Sequence, residues 1–216
     1  MPKTKPVDYY NIESLLSPEE ILVTSGAKQA VFTALLALLD PGDEVIIPMP
    51  FWVSYIEIVK LAEGKVVTVP TTIDSDFKMT PEQLEKAITP KTKLMIFSSP
   101  CNPSGSVYSR EELGALAKVL ERHPGVYILS DEIYEHINFI GRHASIAEFE
   151  QIRDRVIIVN GVSKGYAMTG WRLGYLAAKD CALEQLLKIH QYVQACACSI
   201  SQAAALAAIT GPQDCV

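Results

Sequence analysis

The chain has 216 residues, 49% of them hydrophobic, which is enough for one sizeable core with the composition of an ordinary globular domain. Its 19 basic and 25 acidic residues leave a net charge of −6 and no basic stripe to follow a nucleic-acid backbone, so nucleic acid is not an expected partner. No apolar run reaches the roughly 18 to 20 residues of a membrane span, and the five cysteines, odd in number behind a start without a secretory pattern, predict a soluble protein of the reducing cytoplasm.

Residues 1–17 show little periodicity. From Ile21 onward, short β-branched runs alternate with segments of helical period, the pattern of an α/β sheet covered by helices. Seven strands are predicted, at 21–24, 44–48, 66–69, 94–98, 127–130, 155–159 and 173–177. Helices are predicted at 27–39, 52–62, 81–87, 109–122 and 146–151, with two more, rich in Ala, Leu and Ile, between Lys179 and Gly211. The first helix should stop at Asp40-Pro41-Gly42, because proline cannot continue the ladder and glycine tolerates the turn. Thr80 with Gln83, and Ser109 with Glu112, have the spacing of capping boxes. Cys196 and Cys198 alternate with alanines and lack the spacing of a zinc site; no metal centre is expected.

In an open α/β sheet, ligands sit beyond the carboxyl ends of the strands, and five of the segments following strands here are unusual. Ser25-Gly26-Ala27-Lys28 opens a helix, where free N–H groups and the helix dipole favour an anion. Pro50-Phe51-Trp52 places aromatics where a flat ligand could stack. Asn102 lies between Cys101 and Pro103 in a proline-fixed turn, able to aim an amide at a ligand oxygen. Asp131 and Glu132 end an apolar run in the manner of a magnesium-holding carboxylate, but the chain has no Gly-x-x-x-x-Gly-Lys-Ser/Thr loop, so nucleotide hydrolysis is not supported. Ser163-Lys164-Gly165 follows another buried run, with Arg172 eight residues further on; a lysine there can serve as a nucleophile.

Six segments in order carry a resemblance: Ser-Gly-Ala-Lys-Gln-Ala at 25–30, Asp-Pro-Gly-Asp-Glu-Val at 40–45, Pro-Phe-Trp-Val-Ser-Tyr at 50–55, Asn-Pro-Ser-Gly at 102–105, Ser-Asp-Glu-Ile-Tyr at 130–134, and Ser-Lys-Gly-Tyr-Ala-Met-Thr-Gly-Trp-Arg-Leu-Gly-Tyr at 163–175. With these the chain resembles the fold-type I aminotransferases, in the class I group that includes aspartate and aromatic aminotransferases. The resemblance implies a three-layer α/β/α sandwich with a mostly parallel seven-stranded sheet. It implies that Lys164 carries pyridoxal 5′-phosphate as a Schiff base and then acts as general acid and base. Asp131 would pair with the pyridine nitrogen, Asn102 and Tyr134 would hydrogen-bond the phenolic oxygen, and Trp52 would stack on the ring. Arg172, the backbone of Gly26 and Ala27, and Lys28 would hold the phosphate, with Ser163 assisting.

The implied reaction moves an amino group between an amino acid, of aspartate or aromatic type, and a 2-oxo acid, in a homodimer. The resemblance divides the chain into a partial N-terminal segment, 1–20, and a cofactor-binding large domain, 21–216; the family's C-terminal small domain, with its carboxylate-clamping arginine, is expected to be absent. Two alternatives share every motif: a β-lyase using the same cofactor, and a fragment that binds the cofactor with impaired turnover. One departure stands out. Many relatives have a phosphate-binding hydroxyl three residues before the lysine, where this chain has Gly161.

Overall fold

The computed structural model describes residues 17–214 and 216, so most of the predicted N-terminal segment lies outside the described residues. The seven strands are Ile21–Thr24 (β1), Glu44–Pro48 (β2), Lys65–Val69 (β3), Thr92–Ser98 (β4), Tyr127–Asp131 (β5), Val156–Gly161 (β6) and Gly174–Ala177 (β7). They form one sheet in the order β1-β7-β6-β5-β4-β2-β3, in which β7 alone runs antiparallel to its neighbours. The mostly parallel seven-stranded sheet is therefore as expected.

Alternation along each strand builds two cores. Val45, Ile47, Leu94, Ile96, Leu129, Ile157 and Val159 face one side, where they meet Ala27–Leu38 (α1), Ser54–Leu61 (α2) and Asp180–Val193 (α6). Ile46, Met95, Phe97, Ile128 and Ile158 face the other, against Pro81–Ala87 (α3), Arg110–Glu121 (α4) and Glu150–Arg153 (α5). Strands apolar on both faces are what a parallel sheet between helix layers requires, and each fully buried Leu or Ile contributes about 1.5–3 kcal/mol. The result is the three-layer sandwich. The last helix, Ser199–Thr210 (α7), packs through Ala205 with Val162, Leu173 and Ala197 in a smaller cluster. No helix among the described residues is long and apolar enough to cross a membrane.

Local signals acted as expected at α3 and α4. The Thr80 hydroxyl accepts from the Gln83 N–H at 3.3 Å while the Gln83 side chain accepts from the Thr80 N–H at 2.9 Å; Ser109 and Glu112 make the same exchange. Two helices differ from expectation. α2 starts at Ser54 rather than Trp52, leaving Phe51 and Trp52 in the preceding loop. The helix predicted at 146–151 divides into a 3-10 turn, Ile146–Glu148, and α5, because Phe149 leaves helical geometry and packs on α4 over Gly114, where any side chain would be about 3.1 Å from its ring.

Candidate active site

Register places the chemistry. Ser98, Asp131 and Val159 are neighbours across β4, β5 and β6, so the segments leaving those strands emerge side by side. They carry Asn102, Tyr134 and Lys164. Because β7 runs the opposite way, its beginning lies at the same sheet end as the finish of β1: Gly174 pairs with Thr24. That inversion brings Arg172, just before β7, to the start of α1.

Arg172 and Gly26 fit together closely. Gly26 has φ of +84°, and a Cβ there would collide with the Arg172 guanidinium, so only glycine serves both the backbone conformation and the approach. Gly174 is as constrained, since a Cβ would stand 2.5 Å from the Ala27 nitrogen. Arg172 is anchored by Nη1 donating to the Thr169 carbonyl at 2.8 Å. The N-terminus of the 12-residue α1 has no side-chain cap. A guanidinium beside an uncapped helix start is an arrangement suited to an anion. Gly161, at the position of the hydroxyl common in relatives, has no room for one: a Cβ would stand 2.6 Å from the Gly174 Cα. Ser163, two residues on, is buried at 7% exposure.

Around Lys164 the groups converge. Its Nζ lies 5.4 Å from the centre of the Tyr134 ring, and the Asn102 amide donates to the Tyr134 hydroxyl at 3.4 Å. Lys28 is placed less directly for the role the resemblance gives it, with Nζ lying 4.9 Å over the face of Trp52. It shares with Ser25, Phe51 and Arg172 the lining of an open groove of about 720 Å³. Trp52 is half-buried and meets Tyr55 edge to face at 5.4 Å.

Asp131 is 5% exposed, and its proton affinity is raised, by burial above all; the Tyr55 hydroxyl, the Ile133 N–H and the positive charge of Lys164 offset only part of that rise. The Tyr55 O–H donates to Asp131 Oδ2 at 2.5 Å, and the Ile133 N–H to Oδ1 at 3.3 Å. A cation and two donors around a desolvated carboxylate favour its charged form. Next to it, Glu132 is a different case: burial pushes its carboxyl up to about 8.

Tyr55 is the residue that sequence reasoning missed. It is one residue of the segment at 50–55, yet it is 1% exposed and makes the shortest hydrogen bond to Asp131. Its signal in the sequence is its place three residues after Trp52; in the structure the turn that opens α2 joins the two, the Tyr55 N–H donating to the Trp52 carbonyl at 3.1 Å. Gly174 was likewise unmarked, because the close approach it permits is between β7 and a loop 147 positions away in sequence.

The model of the family described as "Aminotransferase class I and II" matches residues 6–215. An aspartate/prephenate aminotransferase of Nitrosomonas europaea is 49% identical over 201 residues, covering 92% of this chain and 51% of its own length. An aspartate aminotransferase of Rhizobium meliloti is 48% identical over 198 residues, with 91% and 48% covered. The crystal structure of the aspartate aminotransferase from Rhizobium meliloti superposes with a TM-score of 0.90 at 46% identity, covering 92% of this chain and 50% of that one. An aromatic aminotransferase from Pyrococcus horikoshii gives 0.85 at 42%, covering 90% and 52%. The chain spans about half the length of the curated relatives it matches. With the family model matching nearly the whole of it and the fold agreeing throughout, the chain belongs to the class I and II aminotransferases.

Proposed function

We propose that this chain forms the pyridoxal 5′-phosphate site of an enzyme that transfers an amino group from an amino acid to a 2-oxo acid, with residues 21–216 as its large domain. The observation that carries the reading is a buried carboxylate, Asp131, electrostatically coupled to a primary amine, Lys164, at the sheet end where Arg172 meets an uncapped helix. Aspartate is the proposed amino donor, after the names of the Nitrosomonas and Rhizobium relatives.

The residues present fit the cofactor: an amine for an aldehyde, an anion for a protonated ring nitrogen, and a guanidinium with a glycine cradle for a phosphate. When bound, the cofactor supplies an electron sink for the pair left as the substrate Cα–H bond breaks. Lys164 Nζ would hold the cofactor's aldehyde carbon and would serve as the base and acid that moves the substrate Cα proton. Asp131, facing the ring nitrogen, would supply the negative charge that keeps that nitrogen protonated. Asn102 and Tyr134, already hydrogen-bonded to each other, orient the phenolic oxygen. Trp52 supplies a face for the ring. Arg172 with the backbone at Gly26 and Ala27 would hold the phosphate, with Lys28 adding charge and Ser163 a hydroxyl.

A cytoplasmic homodimer is the proposed setting. Tyr192, Ile200 and Leu206, exposed at 92%, 71% and 65% on α6 and α7, support a partner surface. The central test is spectroscopic. Purified protein incubated with pyridoxal 5′-phosphate is expected to show a visible absorbance band that Lys164→Ala abolishes, and a band that survives the substitution overturns the assignment. Transfer from aspartate should require an added 2-oxo acid; product formed without an acceptor would instead point to elimination.

A further inference from the structure

The contact between Tyr55 and Asp131 has no part in the mechanism above, yet it is the closest polar contact of the site's central carboxylate. We propose that Tyr55 is a positioning residue: its O–H fixes one oxygen of Asp131 and, through that carboxylate, sets the proton balance between the cofactor ring nitrogen and the nitrogen linked to Lys164. This inference rests on the cofactor reading above.

Three observations support it. Tyr55 cannot turn away, because it is 1% exposed, lies in the first turn of α2 and is held edge to face by Trp52. Its 2.5 Å distance to Oδ2 belongs to the short, charge-assisted class of O–H···O⁻ bonds, while the other donor to the carboxylate, the Ile133 N–H, stands at 3.3 Å. The phenol is also a fixed donor, since burial and the Asp131 charge keep it protonated at any ordinary pH. The other titratable groups facing this pair are Lys164 from the β6–β7 connection, Glu132 next along the chain, and Cys101 from the segment after β4, with the Ser98 hydroxyl on the far side of the phenol. Lys164 bears charge on the carboxylate from a distance; Tyr55 bonds to it.

The direction of the effect follows. Without the phenolic donor, Asp131 becomes a stronger base and draws more of the ring-nitrogen proton. The ring then withdraws fewer electrons, and the Lys164-linked nitrogen becomes more basic.

The test is a spectrophotometric pH titration of the Lys164-linked cofactor in the purified protein. In Tyr55→Phe, which removes one oxygen and keeps the ring, the midpoint is expected to rise by about half to one pH unit. With 3-fluorotyrosine at position 55, a stronger donor of nearly the same volume, it is expected to fall. With a cofactor analogue carrying carbon in place of the ring nitrogen, the wild-type and Tyr55→Phe titrations should coincide. Overlapping titrations of wild type and Tyr55→Phe with the natural cofactor overturn the inference alone, as does a shift that persists with the analogue. A wild-type protein with no Lys164-dependent band overturns the cofactor reading and this inference with it.

Discussion

Asp131 and Glu132 are adjacent in sequence, are 5% and 1% exposed, and sit in opposite chemical settings. Asp131 shares the face of Leu129, toward α1 and α2, where it meets Tyr55 and the charge of Lys164. Glu132 shares the face of Ser130. Its Oε1 accepts from the Ser130 and Ser145 hydroxyls at 2.9 and 2.7 Å, and its Oε2 lies 3.0 Å from His143 Nε2. Burial drives this second pair neutral, raising Glu132 to about 8 and lowering His143 to about 4. Burial therefore favours, at this 3.0 Å contact, a hydrogen bond between a neutral acid and a neutral imidazole over an ion pair. Burial raises the proton affinity of both carboxyls; what differs is the charge beside them, a lysine acting against the rise at Asp131 and the carboxylates Glu135 and Asp131 adding to it at Glu132.

The largest expected effect separates the two residues by function. Asp131→Ala removes the anion proposed to face the ring nitrogen, and breaking a buried ionic pair costs about 3–5 kcal/mol, so cofactor affinity should fall by 100-fold or more on that principle. Fluorescence titration with pyridoxal 5′-phosphate measures it, and wild-type affinity in this variant would remove Asp131 from the site. Next comes stability. Glu132→Leu leaves the Ser130 and Ser145 hydroxyls and His143 Nε2 without the carboxyl they now bond. Two or three buried polar groups stripped of a partner should lower unfolding free energy by about 3 kcal/mol in a denaturant titration. A loss under 1 kcal/mol would mean that the cluster repacks or admits water.

The contrast between these neighbours also marks what the sequence could convey. The strands were legible because runs such as Val45-Ile46-Ile47 and Leu94-Met95-Ile96 bury both faces, and the sheet follows from their alternation with helices. Caps at Thr80 and Ser109 were legible because their partners lie three residues away. Asp131, Lys164, Asn102 and Arg172 could be named as candidates because each ends, follows or precedes a strand at one sheet end. Tyr55 could not be assigned to Asp131, because their contact spans 76 positions and depends on how α2 docks. The role of Gly161 was equally hidden: its missing side chain reads as a lost hydroxyl until β7 is seen to pass 2.6 Å from where a Cβ would be. Interactions local in sequence are written in spacing, whereas those made by layer packing need the layers.

The smallest effect probes whether Glu132 carries its proton in the folded protein. An acid whose folded value is raised above the ordinary 4.5 stabilises the fold fully below 4.5, and that contribution is lost as pH climbs to about 8. His143, lowered from 6.5 to about 4, has the opposite slope, its contribution being lost as pH falls through that window. Between pH 4.5 and 6.5 the two offset each other. From about 6.5 to 8 only Glu132 still holds an extra proton, so stability should decline by about 1.4 kcal/mol per pH unit there. Glu132→Gln keeps a polar group of similar shape with nothing to ionise, and the difference between the variant and wild-type curves isolates this carboxyl from every other titrating group. Denaturant unfolding from pH 5 to 9 is expected to show the alkaline decline in wild type and its absence in Glu132→Gln. Parallel curves would mean that Glu132 is already ionised at neutral pH, in which case His143 would be its cation and the distinction from Asp131 would collapse.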